Sequence, residues 1–146
     1  MPQIVDSLLD YGTPWALPDV YLFTGNPVRR ADGGIVMGRG AARQVRDCYP
    51  GLDKRIKTRR PVDFTEITAG QWIGWFQVKH HWKEPADIKL IDISAQLLET
   101  IADGKPHLRF HLNAPGIGNG RLRWADVEPV LQFLPDNVLI YRGPQA

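Results

Sequence analysis

Apolar positions along the chain fall into short runs, separated by stretches rich in glycine and proline. Val20-Tyr21-Leu22-Phe23 is a continuous apolar run of the kind a buried strand shows. His107 to Asn113 alternates and predicts a second strand. Phe64-Thr65-Glu66-Ile67 and Trp72 to Val78 predict two more, and the aromatic, β-branched character of the latter marks a central strand. Val138-Leu139-Ile140-Tyr141 predicts a last strand, with Arg142 to Ala146 as a tail. Helical spacing is clearest from Asp87 to Ala102, where Ile88, Ile91, Leu97, Leu98 and Ile101 recur and Gly104 stands as a C′ residue. Shorter helices are predicted from near Gly38 to Cys48, stopped by Tyr49-Pro50-Gly51, and from near Trp124, with Val127, Val130, Leu131 and Leu134 on one face. Before residue 20 the pattern is less regular. Ile4, Val5, Leu8 and Leu9 fit one face of a short helix, and Thr13 to Pro18 reads as extended, because residues before proline avoid the helical region. Leu52 to Arg60 predicts a short helix closed by Pro61. Strands alternating with helices indicate a layered α/β sheet.

Composition narrows the picture. A chain of 146 residues fits one domain, 1–146, and 43% hydrophobic with 23% charged residues is ordinary for a globular protein. Lys and Arg number 18 against 16 Asp and Glu, and a net +2 is too small to argue for bulk electrostatic binding of nucleic acid. Locally, five of the nine residues from Leu52 to Arg60 are basic, which suits a solvated helical face or a patch for phosphates. The single Cys48 excludes an intramolecular disulfide and a cysteine-based zinc site, and it reads as a small buried apolar group. No apolar run reaches the ~18 residues of a membrane-spanning helix. The start of the chain lacks the pattern of a signal peptide, so a cytoplasmic location is expected.

Two stretches repeat one logic. The first strand feeds Thr24-Gly25-Asn26 and a glycine loop ending at Gly38-Arg39-Gly40, where a helix begins. The His107–Asn113 strand feeds Pro115-Gly116-Ile117-Gly118-Asn119-Gly120-Arg121, and another helix follows. Glycines let backbone approach a phosphate, and the first free N–H groups of a helix point at it. Such glycines also occur in plain turns, and Asn119 can simply supply a left-handed turn conformation. In an open α/β sheet both loops fall in one crevice at the strands' carboxyl ends, which suits a diphosphate.

Lys79 follows an apolar strand at that same end of the sheet. Partial desolvation there, helped by nearby Lys83, lowers a lysine pKa, and a neutral amine can attack a carbonyl-type carbon and hold it as a Schiff base. The bland alternative is a surface lysine. Asn26 can hold a sugar hydroxyl or act as a turn residue before Pro27. His80 and His81 point opposite ways in an extended loop, and His107 and His111 lie too far apart along a strand for joint ligation, so no metal site is expected. One of the loop pair can contact a ligand. Of the five tryptophans, four read as core and Trp82, in the lysine loop, as a stacking surface.

Three segments carry a family resemblance: Asn26-Pro27-Val28 with Gly34 to Ala42 and Tyr49-Pro50; Val78-Lys79-His80-His81-Trp82-Lys83-Glu84-Pro85; and Pro115 to Val127. In this order, over about residues 20–141, they resemble macrodomains, the ADP-ribose-binding α/β/α modules. The likeness is to the branch of terminal ADP-ribose glycohydrolases and antitoxins that remove ADP-ribose from DNA. It implies a three-layer α/β/α mixed sheet. It implies that Gly38, Arg39, Gly40, Gly116, Ile117, Gly118, Asn119, Gly120 and Arg121, with Asp32 and His81, hold the diphosphate and distal ribose. It implies that Asn26 binds that ribose and that Lys79 attacks its anomeric carbon. The implied activity is hydrolysis or processing of an ADP-ribosyl linkage or of ADP-ribose 1″-phosphate, without a cofactor. The partners would be the ligand and an ADP-ribosylated protein or nucleic acid. A reader or sequestering module without turnover is the alternative. Departures are specific. The Gly-Asp-Ile/Leu segment whose aspartate reads adenine is missing, with Asp10 and Asp19 as distant substitutes. Arg29-Arg30-Ala31-Asp32 is extra, and Arg121 stands where some glycohydrolases place a catalytic aspartate. The added arginines suit a more phosphorylated ligand.

Overall fold

A computed structural model describes residues 1–145, so of the expected tail Ala146 lies outside the described residues. Six strands form one sheet in the order β1-β6-β5-β2-β4-β3. They are β1 (Gln3–Val5), β2 (Asp19–Gly25), β3 (Val62–Thr68), β4 (Gln71–Gln77), β5 (Arg109–Asn113) and β6 (Val138–Tyr141). The β3–β4 pair is an antiparallel hairpin and every other pairing is parallel, which makes the sheet mixed. Helices α1 (Gly40–Cys48), α2 (Ile88–Asp103) and α3 (Trp124–Leu131) complete the layers.

The continuous apolar runs are explained by burial on both faces. Val20 and Leu22 of β2 join α2 and α3 in one core; Phe23 joins α1, Tyr11 and Trp15 in the other. Strand β4 does the same with Phe76 on the first side and Ile73 and Trp75 on the second. Gly74 sits beside Leu22, where a Cβ would come within 2.5 Å of Leu22 Cγ, so this strand position accepts only glycine without repacking.

Four expectations need correction. The Ile4–Leu9 region is not helical: Gln3–Val5 is a strand paired with Leu139–Tyr141, and that distant partner decides its conformation. Only Leu52–Lys54 is helical in the basic segment, as one 3-10 turn, because Lys57 N–H donates to Thr65 Oγ1 and draws the chain toward β3. Cys48 is exposed, since Ala42 and Val45 supply the buried face of α1. Gly104 keeps a right-handed φ of −77°, so α2 ends without a left-handed cap. No helix among the described residues is long and apolar enough to cross a membrane.

Candidate functional site

Strand β2 lies between β4 and β5, and the carboxyl ends of all three open on one cleft. Its volume is about 670 Å³, ample for a dinucleotide-sized ligand. Register sets its walls. Gly25 pairs with Gln77, and Val78 N–H donates to the Gly25 carbonyl at 3.0 Å, bringing Asn26 beside Lys79. The floor is Thr24 and Asn113. Asn113 Oδ1 accepts from Thr24 N–H (3.1 Å), its Nδ2 donates to Thr24 Oγ1 (2.8 Å), and the buried Tyr11 hydroxyl supports it from below at 3.1 Å.

The first loop leaves β2 through Asn26, which is 7% exposed. Its Oδ1 accepts from Val28 N–H (2.9 Å) and its Nδ2 donates to the Val36 carbonyl (3.2 Å), so the amide folds the loop and keeps one donor hydrogen in reserve. A hairpin over Arg29–Ile35 follows. Gly38, Arg39 and Gly40 then line the cleft, and Gly40 has φ +60° at the first turn of α1. Arg39 does not cap that turn with its side chain, which leaves the leading N–H groups free for an anion.

The second loop leaves β5 with Gly116 at φ +78° and Gly118 at φ +74°, and turns through Gly118–Gly120. The left-handed positions fall on Gly118 and Arg121 (φ +66°), not on Asn119 as the sequence suggested. A Cβ on Gly40 would lie 3.0 Å from Asn119 Nδ2, so the two glycine loops face each other closely.

Lys79 bridges them. Its Nζ donates to the Asn119 carbonyl at 3.2 Å, and Ala86 N–H donates to the Gly120 carbonyl at 2.9 Å, tying the lysine loop to the second glycine loop. Burial lowers the Lys79 pKa, and the Arg121 and Arg39 charges lower it further. Lys83, expected to play that part, instead sits over the Trp82 ring at 5.1 Å.

Asn26, Gly38, Arg39, Gly40, Lys79, Gly116, Ile117, Asn119, Gly120 and Arg121 all line the cleft. Three expected residues do not. Asp32 accepts from Gly34 N–H (3.0 Å) and pairs with Arg30 at the hairpin tip. His81 turns back, its Nδ1 accepting from Lys83 N–H (3.1 Å) while its ring stacks on Trp82. Gly118 faces solvent. Asp10 and Asp19 are also elsewhere: Asp10 holds Gly12 N–H, and Asp19 pairs with Arg109 and His111 at the amino end of β2. Thr24, Asn113 and Glu84 are lining residues the sequence reading did not place there, and Arg30, one of the added arginines expected near the ligand, lines the cleft too. Thr24 and Asn113 were findable as the last polar residues of strands feeding glycine loops. Arg30 reaches the cleft because buried Asp53 holds its guanidinium. Among the described residues no cluster of three His, Cys, Asp or Glu could hold a metal.

A mixed sheet between helical layers, with two facing glycine loops at the carboxyl ends of its inner strands, is the macrodomain fold. Solved structures agree. The macrodomain of Mycobacterium tuberculosis DarG superposes over 100% of both chains with a TM-score of 0.71 at 24% identity. That of Thermus aquaticus DarG matches 100% of this chain and 99% of its own with 0.71 at 20% identity. Thermosipho africanus DarTG in complex with ADP-ribose matches 84% of this chain and 38% of its own, with 0.59 at 24% identity. The chain has the macrodomain fold. In sequence it is similar to the DNA ADP-ribosyl glycohydrolases of Mycobacterium bovis and M. tuberculosis, each 32% identical over 73% of this chain and 35% of the relative. The chain thus spans about a third of the curated relatives it matches. No protein-family model matches it.

Proposed function

We propose that the cleft binds an ADP-ribose unit and that Lys79 releases it from the group to which it is attached. The observation that carries this reading is the placement of Lys79. Its amine lies in the cleft that both glycine loops line, at the carbonyl of Asn119, with a lowered pKa that raises the fraction of neutral nucleophile. The glycine loops and the α1 N-terminus hold the diphosphate, and Asn26, Thr24 and Asn113 form the polar floor beneath the distal ribose. The neutral amine attacks C1″. The bond from C1″ to the carrier breaks, with its electron pair leaving on the carrier, which takes up the proton that the lysine nitrogen loses; water then displaces the lysine, its hydroxyl going to C1″ and its other proton to the amine.

The names of the relatives support an ADP-ribosylated nucleic acid as the carrier, with an ADP-ribosylated protein as the other possibility. A second reading, a non-catalytic reader, draws on one feature: no carboxylate hydrogen-bonds Lys79, and Glu84 is the sole acid lining the cleft among the described residues. Single-turnover release from an ADP-ribosylated oligonucleotide separates the two. Catalytic release that disappears in Lys79→Ala, with ADP-ribose binding retained, supports the enzyme. Binding without release supports the reader.

A further inference from the structure

Charge is distributed unevenly along this chain, and the cleft uses only part of it. Residues 29–60 hold ten Lys and Arg against three Asp and Glu, a net +7, whereas the remainder holds eight against thirteen, a net −5. Lys54, Arg55, Lys57, Arg59 and Arg60 are all exposed, while Leu52 and Ile56 between and before them are 2% exposed and anchor the segment. The nearby acids are already engaged: Asp53 with Arg30, Asp63 with Arg59. Lys54, Lys57 and Arg60 enter no ion pair among the described residues.

This segment is joined to the cleft wall. Arg29 donates to the Ile56 carbonyl (2.7 Å) and to Thr58 Oγ1 (3.1 Å), and Ile35 N–H donates to the Asp53 carbonyl (3.1 Å). The hairpin that carries Arg30 into the cleft is therefore seated on the basic segment. Lys54 also acts on Asp32 at the hairpin tip. Positive charge runs from Arg39 and Arg30 inside the cleft out to Lys54–Arg60.

We propose that this face binds nucleic acid through its phosphates, leading the strand that carries the modification into the cleft that holds the attached nucleotide unit. The proposal rests on the ADP-ribose reading of the cleft. Composition of the face selects the partner. Every fully exposed side chain from Lys54 to Arg60 is basic. It offers no aromatic or aliphatic anchor for a protein partner and no apolar group for insertion into a lipid surface. A polyanion whose affinity comes from counterion release fits it.

The test is fluorescence anisotropy of an unmodified, labelled single-stranded oligonucleotide titrated with the full chain at several salt concentrations. Lys54→Gln/Lys57→Gln is compared with Lys89→Gln/Lys105→Gln, an equal charge change away from this face. The first variant is expected to bind roughly tenfold more weakly and to flatten the log–log salt slope by about 1.4, with free ADP-ribose affinity unchanged. The control is expected to change little. Equal weakening in both variants, or binding insensitive to salt, overturns the proposal. So does tighter, Lys54- and Lys57-dependent binding to anionic phospholipid vesicles or to polyglutamate. Loss of ADP-ribose binding in the unmutated chain, with oligonucleotide binding intact and still dependent on Lys54 and Lys57, overturns the cleft reading and supports the strand-binding face.

Discussion

Gly40→Ala tests the geometry of the anion site with one methyl group. Gly40 opens α1 at φ +60°, where an L-residue brings its Cβ too close to the following carbonyl, at roughly 1–2 kcal/mol. The added methyl would meet only Asn119 Nδ2, at 3.0 Å, and Asn119 is an exposed side chain that can turn away. Backbone strain, not collision, is therefore the larger effect. It has two outlets. The turn can keep its conformation, and the fold then loses about 1–2 kcal/mol. The turn can instead relax, which re-aims the leading N–H groups and weakens ADP-ribose binding by up to about tenfold, since 1.4 kcal/mol is a factor of ten. Urea unfolding and calorimetric titration on the same protein measure both, and their losses should sum to the strain. Gly104→Ala is the control, because it lies away from the cleft, its φ is −77° and its Cβ would make only ordinary contacts of 3.5 Å or more. Gly40→Ala with both stability and affinity unchanged would refute the reasoning.

Lys79→Ala should abolish release while ADP-ribose affinity changes little, as read by single-turnover assays and titration; retained release removes lysine catalysis. Arg121→Gln removes a charge that holds the Lys79 amine low, so the pH at which release rises should move upward; a profile that stays in place or moves downward contradicts the electrostatic argument. Asp19 is held at about 2 from a usual 3.8, first by its hydrogen bond from Arg109. Its contribution is present above the unfolded carboxylate range and is lost as pH falls toward 2. Asp19→Asn should therefore cost about 1–2 kcal/mol near neutral pH, after allowance for solvent screening, and the gap should close in acid urea unfolding. Gly25→Ala would set a methyl 2.8 Å from Nε1 of the buried Trp75, and should destabilise by about 1–3 kcal/mol in denaturant unfolding.

The sheet interior was legible because parallel strands buried on both faces leave unbroken apolar runs. Val20–Phe23 and Val138–Tyr141 both lie within strands of that kind. The first strand was not, because Gln3–Val5 gains its identity from pairing with β6, far away in the chain. Helix spacing misled in the basic segment, where Leu52 and Ile56 stand four apart and are both buried, yet a side-chain bond to Thr65 straightens the chain at Lys57. In the site, the loop residues with backbone roles were readable from glycine spacing. Arg30 was one of two adjacent arginines expected near the ligand, and the buried carboxylate of Asp53 is what aims it into the cleft. Asp32 and His81 were misplaced for a related reason: each side chain satisfies a nearby backbone N–H of its own loop.

The most direct measurement is a calorimetric titration of the chain with ADP-ribose, run in parallel with ADP-ribose 1″-phosphate. Saturable one-site binding is the expected result. Absence of binding for both ligands, in a protein shown to be folded, would contradict the claim that the two glycine loops form an ADP-ribose site.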